Sequence, residues 1–465
     1  GEPLVPGRGG VISVLLIASA GAWLERRLHR LVPQLFDLFL TPLLVLLIAI
    51  LCIAWLVPRS SPVLTVGIFA GSNWGVPHAE PYAIIDRARE KFEAEHPGVR
   101  VVYVSGIQRE DYAEWLAGQF LRGEEPDVFL LSAEDFALYA EKGALYDLTP
   151  LMEGDAAFSA ELYEHTAFQN GQYNGRSYAL PMENMITLMF VNKTLLAREH
   201  LAMPSLAWTW ADFLTLSRQI TKDTDGDGVP DQFGAYDYTW QQAATANGVR
   251  LFRADGQSSY FADPRMEEAL RFVKDLEETH AGYVVTARDF DMGRVAFRPF
   301  TFAEYRTYKP YPWRVKKYSS FEWDCIPLPA GPSGGNISTM DSLLVGMSVR
   351  TERREEAWAL MKILSTDPEI QAMVLEKSHA LPARRDVLQA RAAQEIFLWD
   401  SGESAMTVAD VGDAMRAAVT PDRFERHEEA MLYADRTIRT LIEEPPPFHN
   451  ALNRLQKEIN AILQQ

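Results

Sequence analysis

The chain has 465 residues, 47% of them hydrophobic and 23% charged, and carries a formal net charge of −18. That length and balance suit a globular protein of more than one domain and argue against disorder. The acidity speaks against a nucleic-acid-binding face, which needs clustered Lys and Arg, and has solubility as its ordinary meaning. Of the two cysteines, Cys52 lies in an apolar run and Cys325 far from it, so a disulfide scaffold is excluded.

The first residue is glycine, which reads as a processed, truncated or fragmentary start. Val11 to Leu24 is apolar but short for a membrane span; Leu35 to Val57 is long enough, interrupted only by Asp37 and Pro42. Between them lies Glu25-Arg-Arg-Leu-His-Arg30, and the positive-inside rule places this basic loop in the cytoplasm and everything after Arg59 outside. The stretch is too long for a cleaved signal peptide and has no small-residue site after Leu56. Leu51 occupies the position where a lipobox ending at Cys52 would need a small residue. Residues 1–58 therefore read as a retained helical membrane anchor, followed by a short, stiff linker at 59–62. Val11-Ile-Ser-Val-Leu-Leu, Trp23-Leu-Glu-Arg-Arg and Phe39-Leu-Thr-Pro-Leu-Leu-Val-Leu-Leu-Ile48 resemble part of the membrane subunit of phosphotransferase-system sugar permeases. Two helices cannot make a pore, so this similarity implies at most an inherited anchor; a generic hydrophobic hairpin is the alternative.

Val63 to Phe69 reads as a first strand, ending in a loop that presents Trp74. A helix over about Pro81 to Glu95 puts Ile84, Ile85, Ala88 and Phe92 on one face. Val99 to Val104 is a second strand, about Asp111 to Leu121 a second helix, and Val128 to Leu131 a buried-type strand. This alternation implies a parallel α/β sheet covered on both faces. Asn174-Gly175 is a hairpin-turn signal, Met185 to Val191 a continuous apolar strand, and Thr209-Trp-Ala-Asp212 a helix start. Further on, Arg294 to Phe297 and Asp341 to Ser348 read as strands, and Glu355 to Leu364 as a helix. Leu452, Leu455, Ile459 and Ile462 make the C-terminal helix amphipathic, packed on its own lobe.

The turn-strand-Leu-Pro unit at Asn174 to Pro181, the Phe190-Val-Asn-Lys193 strand end and the Trp208-Thr-Trp-Ala-Asp-Phe213 helix start occur in a recognisable order. They resemble the extracellular solute-binding proteins of bacterial ABC importers, in the family that mostly carries sugars. The resemblance implies an α/β fold of two lobes joined by a hinge, like that of periplasmic binding proteins. It places 63–182 with about 295–345 in the first lobe, and about 183–294 with 346–465 in the second. Arg294 to Phe297 would return the chain to the first lobe, and the helix at Glu355 would belong to the second.

Ligands of such sheets sit beyond the carboxyl ends of the strands. That rule brings Trp74, Glu134 and Asp135 to one rim. The resemblance adds Glu183 and Asn184 at the crossover, Tyr238 and Trp240 from the second lobe, and Asp341. Aromatic faces stack on sugar C–H faces while carboxylates and amides bind hydroxyls, so this set suits a neutral polyol; each aromatic residue could equally be core. The sharpest motif is Asp223-Thr-Asp225-Gly-Asp227-Gly-Val229-Pro-Asp231, which fits the first nine positions of an EF-hand-type loop and would hold a structural Ca2+. Gly234 stands where the bidentate Glu belongs, so a solvated Asp/Gly turn is the competing reading. Gly331-Pro-Ser333-Gly-Gly335 fits the nucleophile-elbow pattern but sits among prolines and glycines, as a loop does.

The expected function is therefore a membrane-tethered, extracytoplasmic binding protein, not an enzyme. It would capture a carbohydrate between its lobes and deliver it to the transmembrane subunits of an ABC permease. An extracellular glycoside hydrolase or a sugar-sensing subunit are the alternatives; a catalytic carboxylate pair in the cleft would favour the first.

Overall fold

The computed structural model describes residues 62–464 except 78, 105, 309–320 and 402–403, together with the isolated positions 23, 27, 43 and 47. Apart from those four positions, the anchor expected at 1–58 and the linker at 59–61 lie outside the described residues. Among the described residues no helix is long and apolar enough to cross a membrane. Everything below concerns the unit Val63–Gln465.

The strands are β1 (Val63–Gly67), β2 (Arg100–Tyr103), β3 (Val128–Ser132), β4 (Gln172–Tyr173), β5 (Arg176–Ser177), β6 (Ala179–Asn192), β7 (Phe233–Ala235), β8 (Val295–Thr301), β9 (Trp323–Ile326), β10 (Met340–Met347) and β11 (Leu381–Pro382). The main sheet has the order β2-β1-β3-β10-β6-β8-β7, with β9 and β11 also on β6. β1 pairs in parallel with both β2 and β3, as the strand-helix alternation requires. The helix Pro81–Glu95 buries the four residues its periodicity singles out. Asn174 and Gly175 both take positive φ, 49° and 75°, which is the turn geometry that joins β4 to β5.

β6 holds the two lobes together. Its first half pairs with β10 and β11, while Thr187 to Val191 pair with β8 and Met189 to Asn192 with β9. Almost every residue along it is buried, so it reads as one apolar run and not as an alternating strand. It runs straight through Pro181.

Strand pairing corrects the expected division of the chain. β8 and β9 lie on the second half of β6, and β7 runs parallel to β8, so 295–326 stays in the second lobe. The helix Arg354–Thr366 packs against Pro81–Glu95 and β10, in the first lobe. The physical reason is apolar closure. Met189, Val191, Ala296, Phe297 and Ile326 share one buried cluster with Trp208 and Phe213, which a return of β8 to the first lobe would expose. Among the described residues the chain thus crosses within β6, at Ser338–Met340, and at Ala418–Thr420, where Val419 bridges Thr339.

The second lobe is built on Trp210–Ile220, Trp240–Ala246, Pro264–Glu278, His427–Glu443 and His449–Leu463. The Thr209 hydroxyl and the Asp212 carboxylate close a reciprocal capping box on the first of these. The terminal helix buries Leu452, Leu455 and Ile459 in this lobe, as its periodicity predicts.

Candidate functional site

The topology points the carboxyl ends of both lobes' parallel strands at the crossover. β1 and β3 end in the loops carrying Trp74 and Ser132–Asp135, and β10, antiparallel to β3, begins at the same rim with Met340 and Asp341. β8 runs antiparallel to β6 and ends at Thr301, opposite Thr187; β7, parallel to β8, ends at Ala235, opposite Phe297, and leads into Tyr236. Two strand rims therefore meet across one shared strand, where this class of sheet receives ligands.

Residues far apart in sequence converge on this rim. The Trp74 indole Nε1 donates to Glu183 Oε2 at 2.7 Å, joining positions separated by 109 residues. Glu183 is 2% exposed, and burial raises its carboxyl above the usual range, opposed by hydrogen bonds from Ser378 and Trp74. Asn184 is fully buried; its Oδ1 accepts from the Ser342 hydroxyl at 2.6 Å, while its Nδ2 has no acceptor. Ser342 Oγ also accepts from Asn170 Nδ2 at 2.8 Å.

Arg423, on the segment following the crossing at Val419, donates to Asp341 Oδ1 at 2.6 Å and to Asn170 Oδ1 at 3.3 Å. Burial lowers its pKa, and the charges of Asp341 and Glu134 oppose that shift. Glu134 is exposed near this guanidinium. Asp135 faces backward: Oδ2 accepts from the Ser132 hydroxyl at 2.7 Å while its own N–H donates to Ser132, which caps the helix.

Two expected ligand residues lie elsewhere. Tyr238 and Trp240 are 7% and 3% exposed in the second-lobe core. The Tyr238 hydroxyl accepts from Trp210 Nε1 at 3.3 Å, and Trp240 Nε1 donates to Asp435 Oδ1 at 3.0 Å. Trp240 opens a helix capped by Thr239 and Gln242, which turns its ring inward. The second-lobe residues at the rim are instead Tyr236, Asp237 and Arg298, with the guanidinium 5.5 Å from the Tyr236 ring centroid. Sequence reasoning missed Asn170, Ser378, Arg298 and Arg423. Nothing local marks them, because each owes its place to a strand or crossing distant in the chain.

The acidic loop curls as its spacing predicts. Carboxylate oxygens of Asp223, Asp225 and Asp227 lie within 4.8 Å of one another, all exposed. Asp223 accepts from the N–H groups of Gly226 and Gly228, both at 2.7 Å, and Asp227 from that of Val229 at 2.8 Å. Asp231 is turned toward Thr224, accepting from its N–H and hydroxyl. The missing Glu at position 234 has a packing cause. A Cβ on Gly234 would stand 2.2 Å from Ser217 Cα, because β7 lies tight against the helix Trp210–Ile220. No larger residue fits there.

Two hollows of about 500 and 220 Å³ lie in the first lobe, around Glu161, Glu164, Arg385 and Arg416. Their charges of opposite sign largely cancel, and the convergent rim is the better site.

Residues 75–371 match the model of the bacterial extracellular solute-binding protein family. The chain belongs to that family. The family binds solutes and is not one of enzymes. An "uncharacterized lipoprotein in oleD 5'region" of Streptomyces antibioticus is 25% identical over 296 residues, 59% of this chain; the match spans 61% of that relative's length. The structure of a cyclic α-maltosyl-1,6-maltose binding protein from Arthrobacter globiformis superposes with a TM-score of 0.71 at 16% identity, covering 87% of this chain and 99% of that one. At such identity the likeness shows the two-lobed fold alone. A stretch of 48 residues is 46% identical to part of the PTS system MurNAc-GlcNAc-specific EIIBC component of Staphylococcus aureus, 10% of each chain.

Proposed function

We propose that this solute-binding protein captures a carbohydrate at the rim between its lobes and delivers it to the transmembrane subunits of an ABC permease. What supports it is two groups beside the shared strand, the Trp74 loop with Glu134, Asp341 and Arg423 in the first lobe and Tyr236, Asp237 and Arg298 in the second. An aromatic face beside carboxylates and amides suits a pyranose, and the Arthrobacter relative named for a cyclic maltosyl-maltose supports that chemistry. Such crossings between two packed lobes are the arrangement that hinge closure uses. The apolar run at Leu35 to Val57 would tether the domain at the outer face of the membrane, a reading helped by the Streptomyces relative's description as a lipoprotein. We also assign Ca2+ to Asp223, Asp225 and Asp227 with the Val229 carbonyl, as a structural ion; Asp231 reaches it only by leaving Thr224.

The test is calorimetric titration of residues 63–465 with maltotriose, cyclic α-maltosyl-1,6-maltose and an amino-acid panel. Saturable binding of a saccharide with a raised melting temperature is expected. Binding of amino acids alone would replace carbohydrate with another solute class.

A further inference from the structure

We infer that Glu183 is a positioning residue, which sets the orientation of the Trp74 ring for a sugar face and does not itself touch the ligand. This rests on the carbohydrate reading above and specifies how its aromatic platform is held.

The two residues differ in how they are fixed. Glu183 belongs to a strand paired on both edges, with Leu343 of β10 on one side and Pro382 of β11 on the other. Its backbone has no freedom. Trp74 belongs to a loop tied at other points: Ala70 N–H donates to Ile107 O at 2.6 Å, Arg109 Nε to Asn73 Oδ1 at 2.7 Å, and the Trp74 backbone N–H to Ser72 Oγ at 3.0 Å. Those contacts hold the loop, and the ring packs in part against the first-lobe core, but neither engages the indole N–H. Its Nε1–H has one direction, and the 2.7 Å bond to Glu183 selects it.

The carboxylate is unsuited to meeting a ligand. Glu183 is 2% exposed and already receives Trp74 and Ser378. Trp74 is only half-buried, so it keeps surface for a ligand while its N–H points into the protein. A buried acid is costly, and burial raises the carboxyl's proton affinity here; its two donors offset that cost. An apolar residue at 183 would avoid the cost but strand the indole N–H.

The experiment is a double-mutant cycle on the full chain, using Glu183→Met, Glu183→Gln, Trp74→Phe and Glu183→Met/Trp74→Phe. Maltotriose affinity is measured by calorimetry, with melting temperature alongside. The Trp74 indole 1H–15N resonance, identified by its loss in Trp74→Phe, reports the bond without ligand. Glu183→Met should weaken maltotriose about tenfold and expose the indole N–H to solvent exchange, while Glu183→Gln, which keeps an acceptor, stays within about threefold. In the Trp74→Phe background, Glu183→Met should add less than about twofold, because the group it acts through is gone. Additive losses, or an indole N–H still protected in Glu183→Met, would overturn the inference. Should Glu183→Met not fold, a Glu183→Gln variant that loses affinity and indole protection together supports it, and one that loses affinity with the indole unchanged sinks it. If wild-type protein binds no saccharide, the carbohydrate reading fails, and the indole resonance alone judges whether Glu183 fixes the ring.

Discussion

Replacing Trp240 separates a core tryptophan from a ligand-facing one. Trp240 is 3% exposed, its ring centroid lies 6.2 Å from that of Phe261, and its Nε1 donates to Asp435 at 3.0 Å. Trp240→Ala removes a buried indole and leaves a cavity between the helices Trp240–Ala246 and His427–Glu443, which costs about 3–5 kcal/mol. Trp240→Phe keeps most of that volume and loses chiefly the hydrogen bond. Asp435 retains Arg439 at 2.7 Å and Gln241 at 3.3 Å, so its carboxylate is not stranded. That loss should be about 1 kcal/mol, with a similar amount for imperfect packing. Urea unfolding should therefore rank wild type, Phe and Ala in descending order, while calorimetry finds saccharide affinity unchanged in Trp240→Phe. A stable Trp240→Ala protein that has lost ligand binding would refute the placement and return this residue to the cleft.

Four further outcomes follow from named contacts. Asp225→Ala should abolish the calcium-dependent part of thermal stability, and equal melting of wild-type protein in calcium and in chelator would leave the loop a simple turn. Asp341→Ala should destabilise more than Arg423→Ala, because Arg423 is 12% exposed and would lose its carboxylate partner, whereas Asp341 is 45% exposed and can be solvated; chemical denaturation gives the order. Burial, then the charge of Arg423, push His427 down to about 4 from 6.5, so its contribution is present above 6.5 and lost as pH falls toward 4, by about 2–3 kcal/mol. Asp422, raised to about 6 mainly by burial, works oppositely and takes stability away as pH rises from about 4 to 6, so the two largely offset in wild-type protein and His427→Gln should uncover a net fall in stability across that range in urea-unfolding profiles. Protease added to intact protoplasts should release a fragment that begins near Val63, and complete protection would put the domain on the other side of the membrane.

Wherever a contact is local, the sequence predicted it well. Ile84, Ile85, Ala88 and Phe92 lie on one helix face because a period of 3.6 residues can be counted without knowing the partner. Thr209 and Asp212 cap a helix three residues apart, and Asn174-Gly175 turns a hairpin for reasons contained in four residues. The acidic loop likewise converges through its own alternate spacing and its own backbone N–H groups.

What only the tertiary structure decided is which apolar surface each element meets. Trp74 and Trp240 both follow strands, yet one is half-buried at the rim and the other closes a core. Their neighbours, Glu183 and Asp435, lie 109 and 195 residues away. The lobe to which β8 belongs was illegible for the same reason. A strand's own residues state that it must be covered, whereas the identity of the cover depends on which distant apolar face closes with the least exposed area. Arg423 shows the polar counterpart: its guanidinium reaches Asp341 and Asn170 only because the last of these crossings brings Val419 beside Thr339.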